Sequence, residues 1–225
     1  MDPRREDGIA LLFAIMAMLL MMALGVALVL TTSTETIIAA NFRNSAEGLY
    51  AADAALERAI DDLLTVSDWN PLLGGLVRSS FADGAPGGSR TLVDNSFLDL
   101  GQTTSLANCQ KTTPCSTAAM DAVTPERPWG ANNPRWQLYA YGPLGGIMPA
   151  GTITSSYYVI VMVGDDPSEN DDNPLRDGVD ESNPGTGVLA VRAEAFGPRG
   201  AHKVIESIVA RTDTGVRMRS WRAVQ

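Results

Sequence analysis

Residues 8–34, GIALLFAIMAMLLMMALGVALVLTTST, carry no charge at all. Asp7 closes a charged leader before them, and Glu35 is the first charge after them. The apolar core of this stretch, residues 9–30, is 22 residues long. As a helix it reaches about 33 Å at roughly 1.5 Å per residue, which matches the roughly 30 Å hydrocarbon core of a bilayer. No other stretch of the chain is comparable. The remainder must therefore lie on one side of a membrane, or be carried by this helix into another assembly.

Without the leader and the apolar helix roughly 190 residues remain, enough for one domain with its own core. The net charge is −9, from 17 basic and 26 acidic residues. That balance excludes nucleic acid as an expected partner, because a phosphate binder needs a basic surface. Cys109 and Cys115 are the two cysteines, in CQKTTPC. In an exported region they read first as one small disulfide loop, and second as free thiols. A zinc site would need two further ligands, and the single histidine, His202, is far away in sequence.

A secretory signal combines a basic start, a short apolar run of about 7–15 residues and a small-residue cleavage site. The run here is longer, and the leader MDPRREDG mixes Arg4 and Arg5 with Asp2, Glu6 and Asp7. Its positive-inside signal is weak. A plain signal-anchor is one reading. A sharper one starts from Gly8, where the charged leader ends and the uninterrupted apolar helix begins. This junction resembles the class III signal of type IV prepilins and of the pseudopilins of type II secretion. The resemblance implies that the prepilin peptidase cuts after Gly8, on the cytoplasmic side, and that Ile9 is then N-methylated. It further implies a single-pass inner-membrane subunit with a periplasmic head. Its helix later leaves the bilayer to pack against other pilins in a surface fibre. In that family the fifth mature residue is commonly glutamate, whereas Phe13 stands there in this chain. A carboxylate at that depth is tolerable only when paired. Its replacement points away from a major repeating subunit and toward the minor classes thought to act near the fibre tip.

Helical character continues past the apolar stretch. No proline occurs between Pro3 and Pro71, and residues 35–64 are dominated by Ala, Leu and Glu. Ile38, Phe42, Leu49, Leu56, Ile60 and Leu63 form one helical stripe. Trp69-Asn70-Pro71 ends the pattern, since the residue before proline disfavours helix. One helix over 9–64 would be roughly 80 Å long, apolar all round at first and amphipathic afterwards. Residues 32–56 resemble PilX-type minor pilins, through Asn41-Phe42-Arg43 and through Ala51-Ala52-Asp53-Ala54-Ala55-Leu56. The resulting organisation is a leader over 1–8, a transmembrane helix over 9–31, an amphipathic helix over 32–66 and a head over 67–225.

Residues 70–135 are rich in Gly, Pro, Ser, Thr and Asn and read as loops, with at most one short strand in TLVDNSFLDLG. Trp129 and Trp136 read as packed aromatics rather than contact residues. Four stretches read as strands, over 135–142, 156–164, 187–197 and 201–211, with VRMRSWRAV as a last short one. Leu189, Val191, Ala193 and Ala195 share one face of the third, opposite Arg192 and Glu194. Gly197-Pro198-Arg199-Gly200 is a tight connection that predicts an antiparallel hairpin. The expected fold class is α+β, a long N-terminal helix packed on an antiparallel sheet, as in pilins. RAEAFGPRGAHKVIESIVAR and the closing SWR again resemble the end of PilX-type sequences.

Between the second and third strands lies an acidic insertion, residues 165–187. Its eight acids less Arg176 give −7, most of the chain's −9. It reads either as a solvated acidic loop or as a calcium site, since calcium takes six to eight oxygens from carboxylates, Asn side chains and carbonyls. The ligand set it offers is Asp165, Asp171, Asp172, Asn173, Asp177 and Asp180. It is not an EF-hand, because Leu175 and Arg176 occupy the ligand and glycine positions of a loop begun at Asp171. No nucleophile elbow, P-loop, G-x-G-x-x-G or H-E-x-x-H occurs, and His202 reads as a surface histidine. The reading is therefore a non-enzymatic, PilX-like minor pilin with a role in pilus assembly and adhesion. Two alternatives stand beside it: a K-type pseudopilin, and a membrane-anchored exported calcium-binding or adhesion domain.

Overall fold

A computed structural model describes residues 6–122, 129–149, 151, 153–169, 171–178 and 186–224. The chain divides into two units, Met1–Arg43 and Asn44–Gln225. Helix α1, Glu6–Leu63, belongs to both.

In the first unit the helix stands alone. Its hydroxyl side chains bond within it: those of Thr31, Thr32, Ser33, Thr34 and Thr36 donate to carbonyls one turn back, at 2.9–3.0 Å. Such back-bonding lets hydroxyl and β-branched residues stay helical in an apolar setting.

In the second unit α1 is amphipathic. Gly48, Ala51, Ala52, Ala55, Leu56, Ala59, Ile60 and Leu63 are buried, with the alternating three- and four-residue spacing of one helix face. The expected stripe is corrected at its start. Ile38 and Phe42 are 62% and 76% exposed, and packing begins only near Gly48. The apolar spacing of those two residues is real, but both stay exposed among the described residues. Most of the buried face is alanine and glycine, which carry little side chain and let the helix backbone sit close to the sheet.

The sheet has five antiparallel strands in sequential order: β3 (Gln137–Pro143), β4 (Tyr158–Asp165), β5 (Val188–Phe196), β6 (His202–Thr212) and β7 (Gly215–Val224). The four expected strands are present, and the tail forms a full ten-residue strand rather than a short one. β4 is buried along its whole length, which explains its unbroken apolar run. The expected alternation in β5 holds. Leu189, Val191, Ala193 and Ala195 are fully buried and join Val159, Val161, Val163, Ile205 and Val209 under α1. Polar bonds fix the helix on this face. The hydroxyl of Tyr139 donates to Asp62 Oδ2 at 2.7 Å, that of Tyr157 donates to the Asn44 carbonyl at 2.6 Å, and Trp221 Nε1 donates to Asp53 Oδ1 at 3.1 Å.

The other face of the sheet is covered too, which corrects the reading of residues 70–135 as loops. A short helix α2 (Asn70–Leu73) precedes a small hairpin of β1 (Ser89–Thr91) and β2 (Phe97–Asp99), then helices α3 (Leu100–Cys109) and α4 (Thr117–Asp121). Asp99 caps α3 by accepting from the Gln102 amide at 2.8 Å. Leu98, Leu100 and Ala107 from this layer pack with Trp136, Tyr141, Tyr158, Ile160, Met162 and Ala190. One further turn, α5 (Leu144–Ile147), follows β3.

Where no layer covers the outer face, charges pair. Arg192 lies 2.7 Å from Glu194 and 2.6 Å from Glu206, His202 Nε2 is 2.8 Å from Glu194, and Arg222 also reaches Glu206. His202 further stacks on Phe196, so it is a partnered surface residue. Burial alone would raise the Glu194 pKa, but the His202 hydrogen bond and the Arg192 guanidinium outweigh it and hold the carboxyl below its usual range.

Two stability predictions follow from this packing. A Cβ at Gly197 would enter the ring of Tyr157, which is anchored by its bond to Asn44. Gly197→Ala is therefore expected to lower stability by about 1–3 kcal/mol, read as a fall in Tm of the full chain in detergent. Glu194→Gln, which breaks a buried ionic network, is expected to lose on the order of 3 kcal/mol near neutral pH. Because the folded carboxyl has a depressed pKa, its contribution is present above the unfolded value of 4.5 and is lost as pH falls through the folded value. The Tm gap between wild type and variant should thus close on acidification, and a gap unchanged well below that pH would sink the assignment.

Candidate functional site

Two regions carry chemistry that the core does not use: the charge-free helix and the acidic insertion. In the helix every side chain from Gly8 to Ala39 is exposed. Ile9 is 59% and Phe13 65% exposed, and nothing lies within 4 Å of a Cβ built at Gly8. The described residues contain one helix long and apolar enough to cross a membrane. An apolar helix of this kind is stable only inside lipid or against other apolar surfaces, since each exposed Leu, Ile or Met forgoes about 1.5–3 kcal/mol of burial.

The cysteines form a disulfide between Cys109, the last residue of α3, and Cys115, with Cα atoms 6.1 Å apart. Gln110 turns the chain there with a left-handed backbone, φ +59°. The bond ties the end of α3 to the segment leading into α4. Close to it, Asn108 clamps the start of β3: its Oδ1 accepts from the Trp136 amide at 2.8 Å and its Nδ2 donates to the Trp136 carbonyl at 3.0 Å. The two tryptophans expected to pack differ. Trp136 is buried, whereas Trp129 is 40% exposed and lines an open cleft of about 270 Å³ with Trp136, Pro167, Ile208 and Arg222.

The acidic insertion begins on the last residue of β4. Asp165 is 3% exposed and fixed by its register opposite Leu189. A turn follows, in which the Asp166 carboxylate accepts from the amide of Ser168 at 3.0 Å and the Glu169 amide donates to the Asp166 carbonyl at 3.1 Å. This turn carries Glu169, 2% exposed, back over the strand end. Asp165, Glu169 and Asp171 each place a carboxylate oxygen within 4.8 Å of the other two. Burial, then the charge of Glu169, pushes Asp165 up to about 8, with Asp171 and Asp177 adding to the rise against the Asp166 amide. Burial likewise pushes Glu169 up to about 7, helped by Asp171 and Asp177 and opposed by a hydrogen bond from the Gly178 amide to its Oε2 at 3.2 Å.

Of the six residues expected as ligands, Asp165 and Asp171 therefore come together. Asp177 serves the loop itself: its Oδ1 accepts from the Gly187 amide at 2.6 Å, and its own amide donates to Asn70 Oδ1 at 3.1 Å. Asp172 is exposed, has a left-handed backbone with φ +56°, and donates its amide to Asn132 Oδ1 at 2.8 Å. Asn173 donates its amide to Asp171 Oδ1 at 2.9 Å. Asp180 lies outside the described residues. Glu169 was not among the six. Its signal in the sequence is the Asp-Pro-Ser-Glu turn after a strand, which returns the fourth residue to the strand end.

No curated protein and no solved structure matches the chain. Residues 7–57 match the family model described as PilX N-terminal. The matched segment runs from the residue before Gly8, through the charge-free helix, into the alanine face that meets the sheet. An N-terminal apolar helix, a five-stranded antiparallel head beneath its continuation and this match agree with one another: over residues 7–57 the chain is similar to the PilX N-terminal domain of type IV minor pilins.

Proposed function

We propose that this protein is a minor pilin that enters a type IV pilus near its tip and takes part in pilus assembly and adhesion. The observation that carries this reading is the match of residues 7–57 to the PilX N-terminal family, on a helix without charge from Gly8 to Thr34. The peptidase cuts after Gly8, Ile9 becomes the methylated N-terminus, and the inner membrane holds the subunit until its helix joins those of other pilins. Phe13 supports a minor position. A fibre core of many copies that pairs each terminal amine with a carboxylate would lack that partner here, whereas a subunit used once or a few times tolerates its loss. The open cleft beside Trp129 and the disulfide-tied loops support a recognition role for the head, since loops on a rigid scaffold are where binding surfaces concentrate.

The family match favours a pilus over the K-type pseudopilin of a secretion system. The carboxylate cluster keeps a second reading in view, a membrane-anchored exported domain that uses calcium. N-terminal mass spectrometry of the protein from cells with and without prepilin peptidase separates the two. The pilin reading expects a methylated Ile9 terminus in the first case and the full leader in the second. Gly8→Glu should retain the leader in both and abolish incorporation into sheared fibres. An intact Met1 in peptidase-positive cells, or cleavage after Thr31, would overturn the reading.

A further inference from the structure

We propose that Asp165, Glu169 and Asp171 bind one calcium ion that pins the acidic insertion to the end of β4. The inference is independent of the assembly role, because none of these residues lies in the helix.

Two observations of different kinds support it. The first is spacing. Three carboxylate oxygens lie within 4.8 Å of one another. Calcium holds oxygens at about 2.3–2.6 Å, so two ligands across the ion stand up to about 5 Å apart. The second is an orphaned buried group. Asp165 is only 3% exposed, and its Oδ1 has no hydrogen-bond partner among the described residues. The same holds for Oδ2 of Asp171, whose other oxygen is taken by the Asn173 amide. No Lys or Arg among the described residues forms an ion pair with Asp165 or Asp171. A buried carboxylate oxygen without a donor is destabilising, and a divalent cation supplies what both oxygens lack.

The donor set selects the ion class. All three groups are hard oxygens, and no His or Cys stands among them, which disfavours zinc and copper. Two of the three acids sit on a turn and loop rather than on regular elements, which suits the adaptable shell of calcium better than the strict octahedron of magnesium. Carbonyls and water complete the shell.

The test uses the full chain in detergent, stripped with EDTA, with Tm and calorimetric binding read against added calcium chloride. Wild type is expected to bind about one ion and to gain several degrees in Tm, as any ligand of the native state alone must produce. Asp165→Asn should fold, because it removes an unsatisfied charge, yet lose at least ten-fold in calcium affinity and most of the Tm response. Asp172→Asn, outside the cluster, should keep both. Absence of heat and of any Tm shift in wild type overturns the proposal. So does an Asp165→Asn chain that responds like wild type, which would locate the ion elsewhere. An equal Tm shift with magnesium chloride at the same concentration overturns the assignment to calcium.

Discussion

The close seating of one face of α1 on strands β4, β5 and β6 is the contact on which the head depends. The helix presents Gly48 and four alanines with Leu56, Ile60 and Leu63 among them, and the sheet answers with small and β-branched residues. Small side chains shorten the distance between backbones. The three large ones, at 0%, 7% and 0% exposure, then fill the remaining space. Apolar contact of this kind fixes distance but has little directional content. Direction comes from three polar ties of the helix, at Asn44, Asp53 and Asp62, to Tyr157, Trp221 and Tyr139. They spread over five turns of the helix and engage both edge strands as well as the residue leading into β4, so rotation of the helix would break all three.

The same helix meets two solvents. Propensity does not distinguish its halves, since Ala, Leu and Met favour helix throughout. The distinction is the partner each half requires. Residues 48–63 find theirs in the sheet of the same chain. Residues 8–34 stay exposed among the described residues, and their one group of polar side chains bonds back onto the helix. A segment that satisfies its own polar groups and leaves only apolar surface outward is built for lipid or for other helices of its kind. That requirement follows from the chain's own chemistry, and the PilX N-terminal match covers the same segment.

This is also why so much of the fold was legible in the sequence. Charge-free length, proline spacing and period-two alternation are strong signals, and they located α1 and the strands to within a few residues. Signals failed where the deciding partner is not local. Ile38 and Phe42 have the spacing of packed residues, but spacing does not say whether a partner is present. Helix α3 was hidden by Gly101, Thr103 and Thr104, which weaken its propensity, although Asp99 and Gln102 spell its cap. The tail strand looked short because Arg217, Arg219 and Arg222 interrupt its apolar run, yet an edge strand keeps charge on its exposed side. In the acidic insertion composition announced a site, but the grouping of Asp165 with Glu169 depends on a turn, and Asp172 and Asn173, equally eligible by type, stand outside the carboxylate cluster and engage the fold through their main-chain amides.

Asp165 and Glu194 show what turns a buried carboxylate into a structural element or into a site. Both are 3% exposed. Burial pushes each toward the neutral form, so burial does not separate them. Glu194 faces Arg192 and His202, and its pKa falls below the usual range. Asp165 faces Glu169 and Asp171, and its pKa rises to about 8. The outer face of the sheet is self-neutralising, with Arg192 and Arg222 against Glu194 and Glu206, and has no need of an ion. The insertion concentrates eight acids against one arginine in the sequence, and two of its buried oxygens stay without a donor. At the end of β4, by contrast, Asp165 forms no ion pair with a Lys or Arg among the described residues. That contrast within one sheet is the physical ground for treating the strand end as a binding position rather than as surplus surface charge.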